Sequence, residues 1–212
     1  MYIARRPRVE LGSAPASEED LIMKVTDPAY LCYATDTSKK TLEDRKIFVR
    51  KLIMWNHPSP LEHASVTLVI STDRGVTHEL VRHRIAAYSQ ESTRYCNYSK
   101  GKFNSEIAVL DPFPEDYDRE SDTYDAWKTL CETSESAYIY LTKSGVAPDI
   151  ARAVLPTCLM TTITVTYDIP EWRHVIIQRT DPHAHPMMRR TMAMCRDILA
   201  EHYPVFFGDL LR

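Results

Sequence analysis

Three cationic side chains close a predicted helix at Arg82-His83-Arg84, and a polar segment that ends at Arg94 follows them. Arginine carries a planar fork of N–H donors that suits phosphate groups and the edges of planar heterocycles. Ser92 and Thr93 add hydroxyl and backbone N–H groups, so the segment can hold a phosphate without glycines. The alternative interpretation is a helix C-terminus where the helix dipole favours cations. The residues alone leave both interpretations open.

Other sequence features limit the chemistry available to the chain. Only five glycines occur, with no G-x-G-x-x-G and no Walker sequence, so side chains must do much of any phosphate binding. His183-Ala184-His185 is a weak metal candidate, because histidines two positions apart do not share a helix face and no nearby cluster completes four ligands. We therefore expect no metal site. The five cysteines form no C-x-x-C pair, and we expect reduced thiols.

The arginine motif resembles the signature of the flavin-dependent thymidylate synthases, in which Arg-His-Arg is followed, after seven residues, by a serine, here Ser92. Further segments are similar to that family in the same order along the chain. They are His57-Pro58-Ser59-Pro60-Leu61-Glu62-His63, Ala151-Arg152-Ala153-Val154-Leu155-Pro156 and Glu171-Trp172-Arg173-His174 with the later Arg179. The resemblance covers most of the chain. It implies an α+β fold in one domain over residues 1–212, with a mixed or antiparallel β-sheet flanked by helices.

The resemblance also implies an FAD site, with methylenetetrahydrofolate as carbon donor and NADPH as reductant. The cofactor-binding residues that it implies are Ser59, Glu62, Arg82, His83, Arg84, Gln90, Asp168, His174 and His183. His57 is expected either to gate the active site or to have a structural role. In this family the pocket is shared between the subunits of a homotetramer, and the same arrangement is expected here.

The implied substrate is a pyrimidine nucleotide, dUMP, or UMP in a relative that methylates the ribonucleotide. The implied nucleotide-binding residues are Glu79, Arg82, Gln90, Glu91, Ser92, Thr93, Arg94, Arg152 and Arg179. Arg94 and Arg152 are the expected phosphate partners. No nucleic-acid polymer and no membrane is expected as a partner.

The implied reaction explains why an arginine is needed beside the uracil ring. Uracil C5 is a poor nucleophile until negative charge builds on the ring, and a guanidinium stabilises that charge without losing a proton. Arg179 is the candidate. Ser92 is expected to orient the nucleotide, because no base lies next to it in the motif to activate its hydroxyl. Arg179, Ser92 and His57 form the predicted catalytic set.

The chain departs from the family pattern at two places. Asp168-Ile169-Pro170 stands where relatives commonly carry Asn-x-Arg, and Glu79 stands where many have glutamine. An ionised aspartate donates no hydrogen bond, and proline has neither a cation nor an N–H. Flavin contacts at Asp168 are therefore expected to differ, and the choice between dUMP and UMP stays open.

The sequence predicts helices and strands in alternation, and these elements must position the candidate site residues. Capping signals predict helices from Ser17 to about residue 26 and from Thr41 to Trp55. Period-two alternation predicts strands over residues 66–71 and 159–168, and a short strand is expected over 106–110. Further helices are predicted over 74–84, 121–143, 148–155, 171–178 and 187–202, with a functional loop over 88–103.

Composition places the chain among ordinary globular proteins. Apolar residues make up 44%, no apolar run approaches the roughly 20 residues that cross a bilayer, and the N-terminus lacks the apolar stretch of a signal peptide. We therefore expect a cytoplasmic protein. A net charge of -3 argues against broad nucleic-acid binding.

Two other function classes compete with a flavin enzyme. Tyr88, Tyr95 and Tyr98 among the arginines suit a module that stacks single-stranded nucleotides without catalysis. His183 and His185 suit a metal-dependent hydrolase. Flavin absorbance favours the enzyme, salt-sensitive oligonucleotide binding favours the module, and stoichiometric metal favours the hydrolase.

Overall fold

The computed structural model describes residues 1–211, except for the side chain of Lys102; Arg212, which the predicted domain includes, lies outside the described residues. Six strands occur in the described chain: β1 (Tyr2–Ala4), β2 (Arg8–Leu11), β3 (Ser65–Asp73), β4 (Ala87–Gln90), β5 (Ala108–Leu110) and β6 (Met160–Asp168). The α-helices are α1 (Glu18–Leu31), α2 (Leu42–Met54), α3 (Arg74–Leu80), α4 (Asp122–Lys143), α5 (Pro148–Ala151), α6 (Ile169–Thr180), α7 (Pro186–His202) and α8 (Pro204–Phe207). Short 3₁₀ helices cover Leu61–His63, Gly101–Phe103, Arg152–Val154 and Gly208–Leu211.

The predicted helix starts at Ser17 and Thr41 are confirmed. The hydroxyl of each residue accepts from the backbone N–H three positions later, at Asp20 and Asp44, and each aspartate accepts in return from the backbone N–H of its cap. Asp73 caps α3 in the same way by accepting from Val76 N. Such caps satisfy backbone donors that a helix leaves unpaired at its N-terminus, typically for about 1 kcal/mol each.

Four strands form one sheet in the order β2-β3-β6-β4. Strands β3 and β6 run antiparallel, because Thr67 pairs its hydroxyl with Thr166 while Ser71, further along β3, pairs with the earlier Thr162. A second sheet pairs β1 with β5 in parallel. The predicted α+β fold with mixed and antiparallel strands is therefore confirmed.

The chain divides into two compact units. Unit 1 contains residues 1–8, 71–82 and 90–163, and unit 2 contains residues 9–70, 83–89 and the segment from 164 onward. The core of unit 1 packs Tyr138 and Cys131 of α4 against Ile107, Val109 and Leu159. Full burial of apolar side chains of this size stabilises the fold by about 1.5–3 kcal/mol each.

Unit 2 buries the apolar sides of α1, α2, α6 and α7. Leu21, Val49 and Met192 are among its fully buried side chains. Trp172 of α6 is also fully buried, and its indole N–H donates to the carbonyl of Val66 in β3 at 2.8 Å. This bond fixes α6 to the strand and satisfies a polar atom that would be costly to bury unpaired.

Several sequence expectations differ from the structure. Helix α3 ends at Leu80 rather than near Arg84, and residues 87–90 form strand β4 inside the segment predicted to be a loop. Strands β1 and β2 and helix α8 were not predicted, because short segments give little periodic signal. No helix of residues 1–211 combines the length and apolar character that a bilayer crossing needs.

Candidate functional site

His83, the centre of the arginine motif, is buried in unit 2 beside Arg179 of α6. The side chain of His83 is 8% exposed, and its Nε2 accepts a hydrogen bond from Arg179 Nε at 3.0 Å. Since Nε2 accepts, the ring proton of a neutral imidazole lies on Nδ1, which is 3.7 Å from Glu171 Oε1. The structure therefore joins two residues of the predicted site that are distant in sequence.

The electrostatics of this group keep His83 neutral. Burial, with smaller contributions from the charges of Arg179 and His174, lowers the pKa of His83 to about 4. At neutral pH the contact with Glu171 is then a polar contact and not an ion pair. Burial also raises the pKa of the Glu171 carboxyl. Arg179 is consequently held by an acceptor that brings no negative charge.

A pair of tyrosines fixes the backbone of His83. Tyr88 donates its hydroxyl proton to the carbonyl oxygen of His83 at 2.6 Å. Because that proton is used, the fully buried Tyr167 donates to the Tyr88 oxygen, also at 2.6 Å. Burial raises the pKa of both phenols, so both stay protonated as donors. Tyr167 is not among the predicted site residues, although a phenol on the buried side of an alternating strand needs a polar partner.

The beginning of α6 explains the unusual Asp168-Ile169-Pro170 segment. Asp168 is the N-cap residue and accepts from Glu171 N at 2.8 Å, and Pro170 lies in the first turn, where a missing N–H costs nothing. The segment thus starts the helix that carries Glu171, His174 and Arg179. A flavin contact of Asp168 stays a prediction, since one of its carboxylate oxygens already accepts from this helix.

Two cavities in unit 2 involve other predicted flavin residues. One cavity of 260 Å³ is lined by His57, His174 and Arg173 among others, and another of 260 Å³ by His57 and Ser59. Both cavities also have apolar walls, which Leu52 and Pro58 contribute. Apolar walls with a few polar groups are typical of small-molecule sites.

Ser59 and His174, which line these cavities, are exposed, and three further predicted flavin residues on the surface of unit 2 are Glu62, Arg84 and His183. The ring Nδ1 of His183 lies 2.8 Å from Asp181 Oδ1, a local contact at the end of α6. The contacts described for residues 1–211 do not join these three side chains to His83, so their roles stay predictions.

Unit 1 carries the predicted phosphate partners. Arg152 donates from Nη1 to the hydroxyl of the buried Thr93 at 3.3 Å and from Nε to the carbonyl of Asp149 at 3.2 Å. Ser92 Oγ accepts from the backbone N–H of Arg94 at 3.3 Å. The structure thus brings Arg152 to the Ser92–Arg94 turn, as a common phosphate site requires.

Gln90 and Glu91 hold this turn to the sheet. The Gln90 amide donates to the hydroxyls of Thr77 at 3.0 Å and Thr161 at 3.2 Å. Glu91 exchanges hydrogen bonds with Thr162: the backbone N–H of Glu91 donates to the Thr162 carbonyl, and Glu91 Oε2 accepts from Thr162 N. Both side chains therefore position the loop, and direct ligand contacts by them stay predictions.

The remaining predicted residues of unit 1 belong to α3 and its end. Arg82 is exposed, and its Nε donates to the carbonyl of His78 at 3.3 Å. Glu79 is half-buried on the same helix. The Arg82-His83-Arg84 motif therefore begins in unit 1 and continues in unit 2.

No group of three or more His, Cys, Asp or Glu side chains within residues 1–211 is arranged to hold a metal ion. His183 instead pairs with Asp181. The predicted site combines arginine, histidine and hydroxyl groups with a few carboxylates. Arginine, histidine and hydroxyl groups bind anions and heterocycles.

Comparison with known proteins assigns the chain to a family. The model of the thymidylate synthase complementing protein (Thy1) family matches residues 18–205. The chain belongs to this family.

Named relatives add the class of enzyme found in that family. A flavin-dependent thymidylate synthase of Mycobacteroides abscessus is 34% identical over 178 residues, which are 76% of this chain and 68% of that protein. One from Thermococcus onnurineus is 32% identical over 135 residues, 63% of this chain, and the match spans only 54% of that relative's length. The UMP/dUMP methylase PolB from Streptomyces cacaoi, solved with 5-Br dUMP, has the same fold, with a TM-score of 0.80, 22% identity, and coverage of 100% of this chain and 97% of that one.

Proposed function

We propose that this chain is an FAD-dependent enzyme that methylates C5 of the uracil ring of dUMP. Methylenetetrahydrofolate is the carbon donor and NADPH is the reductant in this proposal. The observation that carries the proposal is the hydrogen bond from Arg179 to the neutral His83. His83 is the central residue of the motif that resembles the signature of flavin-dependent thymidylate synthases. Membership of the Thy1 family supports the same conclusion.

The donor set of unit 2 fits part of a flavin. His57, Ser59 and His174 offer hydrogen-bonding groups beside apolar walls in two cavities of 260 Å³ each. Each cavity is smaller than the roughly 300–1,000 Å³ of small-molecule sites, so neither encloses a whole dinucleotide. These residues would hold one portion of FAD, with His83 and the exposed Arg84 as further candidates. When bound, the flavin supplies the redox chemistry of the reaction.

The nucleotide phosphate is assigned to unit 1. Arg152 is oriented by Thr93, and Arg94 follows in the same turn as Ser92, so the turn that would bind the phosphate combines two arginines with backbone and hydroxyl groups. Charge-assisted hydrogen bonds from arginine to phosphate are among the strongest in proteins. Ser92 orients the nucleotide in this proposal and forms no bond to it.

Arg179 stabilises the negative charge that develops on the uracil ring when C5 attacks the carbon donor. His83 orients the guanidinium through Nε and leaves its charge intact, because the imidazole is neutral. Preorganised charge of this kind contributes typically 3–4 kcal/mol per interaction to catalysis. The bond from Arg179 to Nε2 places the ring proton of the neutral His83 on Nδ1, which lies 3.7 Å from Glu171 Oε1.

We also propose a cytoplasmic homotetramer with active sites shared between subunits. Mixing Arg179→Ala protein with Arg94→Ala protein tests the sharing, because subunits that each lack a different residue can assemble some complete sites. Partial recovery of activity after mixing supports sharing. Mixtures as inactive as their components would show that each subunit supplies both residues to one site.

The decisive experiment follows methyl transfer to dUMP and to UMP in parallel by mass spectrometry, with FAD, NADPH and methylenetetrahydrofolate present. We expect methylation of dUMP that is lost in Arg179→Ala while flavin absorbance is retained. Arg196→Ala is the matched control, since this guanidinium pairs with the adjacent Asp197 on α7. If only UMP is methylated, the substrate is UMP and not dUMP. A protein that binds no FAD would refute the proposal.

A further inference from the structure

Two cysteine thiols lie together in unit 1, and neither is among the residues assigned to the reaction. Cys131 Sγ on α4 is 3.6 Å from Cys158 Sγ, in the segment that precedes β6. Cys131 is 2% exposed, while Cys158 is half-buried and thus the more accessible of the two. A disulfide bond is about 2.05 Å long, so the sulfur atoms need to approach by about 1.6 Å to form one.

We propose that Cys131 and Cys158 are a redox-reactive pair that a peroxide converts into a reversible intramolecular disulfide. One sulfur takes an oxygen from the peroxide as the O–O bond breaks, giving a sulfenic acid and one water. The other sulfur then attacks that sulfur, the S–S bond forms and the oxygen leaves as a second water. Two thiols and one hydrogen peroxide thus give one disulfide and two waters, and a dithiol reductant restores the thiols.

The geometry favours this pair over the other three cysteines. The hydrogen bond between the two thiols lowers the pKa of the Cys131 thiol, which enlarges its thiolate fraction, and raises the pKa of the Cys158 thiol. Cys32 is exposed, and Cys195 is buried, with a pKa raised by burial. Cys32 has the access that oxidation needs, but Cys158 has in addition a resolving thiol within contact distance.

The disulfide would restrain the turn that carries Arg152. Residues 131 and 158 are 27 positions apart, and the segment between them runs from α4 through α5 to the start of β6. Ser134 of α4 already donates to the carbonyl of Val154, so α4 packs on this turn in the thiol form. Closing a loop of this length removes entropy from the unfolded chain, and we expect the Tm to rise by roughly 5–10 °C on oxidation.

Titration of the native protein with hydrogen peroxide tests the pair. After alkylation in denaturant, we expect free thiols to fall from the five of the sequence to three, and non-reducing peptide mapping to find residues 131 and 158 linked. Dithiothreitol should restore five thiols and the lower Tm. Cys32→Ser removes the exposed thiol as a competing target and should leave the linkage unchanged.

Cys158→Ser is the diagnostic variant, because it keeps a hydrogen-bonding side chain at the same position. Its circular dichroism should match wild type, and peroxide should neither link residue 131 nor raise the Tm. If Cys158→Ser is poorly folded, Cys131→Ser provides the same test from the other side. Oxidation of Cys32 or Cys96 while residues 131 and 158 stay alkylated as free thiols would overturn the proposal. The proposal would also be overturned if peroxide raised the Tm of Cys158→Ser and Cys131→Ser as much as it raises the Tm of wild type.

Discussion

Replacing His83 with glutamine removes a buried titratable base and keeps an acceptor for Arg179. The glutamine carbonyl can accept the Arg179 Nε–H that His83 Nε2 accepts at 3.0 Å, and its amide can face Glu171 as Nδ1 does. The substitution therefore changes the proton equilibrium of the site more than its hydrogen-bond pattern. Its effect should appear in how stability depends on pH.

The magnitude follows from the pKa of His83, which burial lowers from 6.5 to about 4 in the folded protein. The unfolded chain binds a proton near pH 6.5 and the folded chain only near pH 4, so the free energy of unfolding falls as the pH drops through this window. The loss is about 2 kcal/mol between pH 7.5 and pH 5 and about 3 kcal/mol by pH 4. The variant has no imidazole at this position and therefore lacks this loss. Its free energy of unfolding, measured relative to wild type, should rise by these amounts as the pH falls.

Urea unfolding at half-unit steps from pH 7.5 to pH 4.5 measures the effect as the difference between wild type and His83→Gln. Glu171 acts in the opposite sense, because its raised pKa makes its contribution fall as the pH rises above its ordinary value of 4.5. It is present in both proteins, so it cancels to first order in the difference. The exposed His63 replaced by glutamine controls for the loss of an imidazole as such.

Parallel pH profiles for wild type and His83→Gln would refute this reasoning. A direct check is the imidazole resonance that disappears in the variant, which should titrate near pH 4. A midpoint near the ordinary 6.5 would mean that the ring is solvated, and the neutral acceptor assigned to Arg179 would then be wrong.

Three further substitutions test separate parts of the structure. Trp172→Phe leaves the carbonyl of Val66 without its indole donor and should lower the free energy of unfolding by about 1–3 kcal/mol in urea; a change below the error of the fit would contradict the role of the bond. Asp73→Ala removes the acceptor of the Val76 N–H and should lower the free energy of unfolding by about 1–2 kcal/mol, as measured by thermal unfolding. Asp73→Asn keeps an acceptor oxygen and should retain most of that stability. Arg94→Ala should weaken dUMP binding in calorimetry at least tenfold and deoxyuridine little, and equal losses for both ligands would show that Arg94 does not serve the phosphate.

Local signals in the sequence predicted the helix starts correctly. Ser17, Thr41 and Asp73 each cap a helix through residues three positions away, so the information lies within one turn of chain. The strands over residues 65–73 and 160–168 were found for a similar reason, since alternation is visible within each segment. Their pairing agrees with the predicted α+β class.

Contacts between distant residues could not be read from patterns of this kind. His83 and Arg179 are separated by 96 positions and Tyr88 and Tyr167 by 79, and nothing local to either residue specifies its partner. The resemblance to a family named Arg179 as a site residue, but it did not supply the hydrogen bond that orients it. Strand β4 was missed because Ala87–Gln90 is polar and half-exposed, unlike the apolar alternation expected of a buried strand.

Arg173 links the last described segment of the chain to the helix of the candidate site. Its guanidinium donates two hydrogen bonds of 2.7 Å to the Asp209 carboxylate and a third to the carbonyl of Phe206. Because α6 also carries His174 and Arg179, this contact ties the position of the helix to residues 206–209. An affinity tag or truncation that displaces these residues is expected to loosen α6, so protein prepared for kinetic work should keep the contact between Arg173 and Asp209.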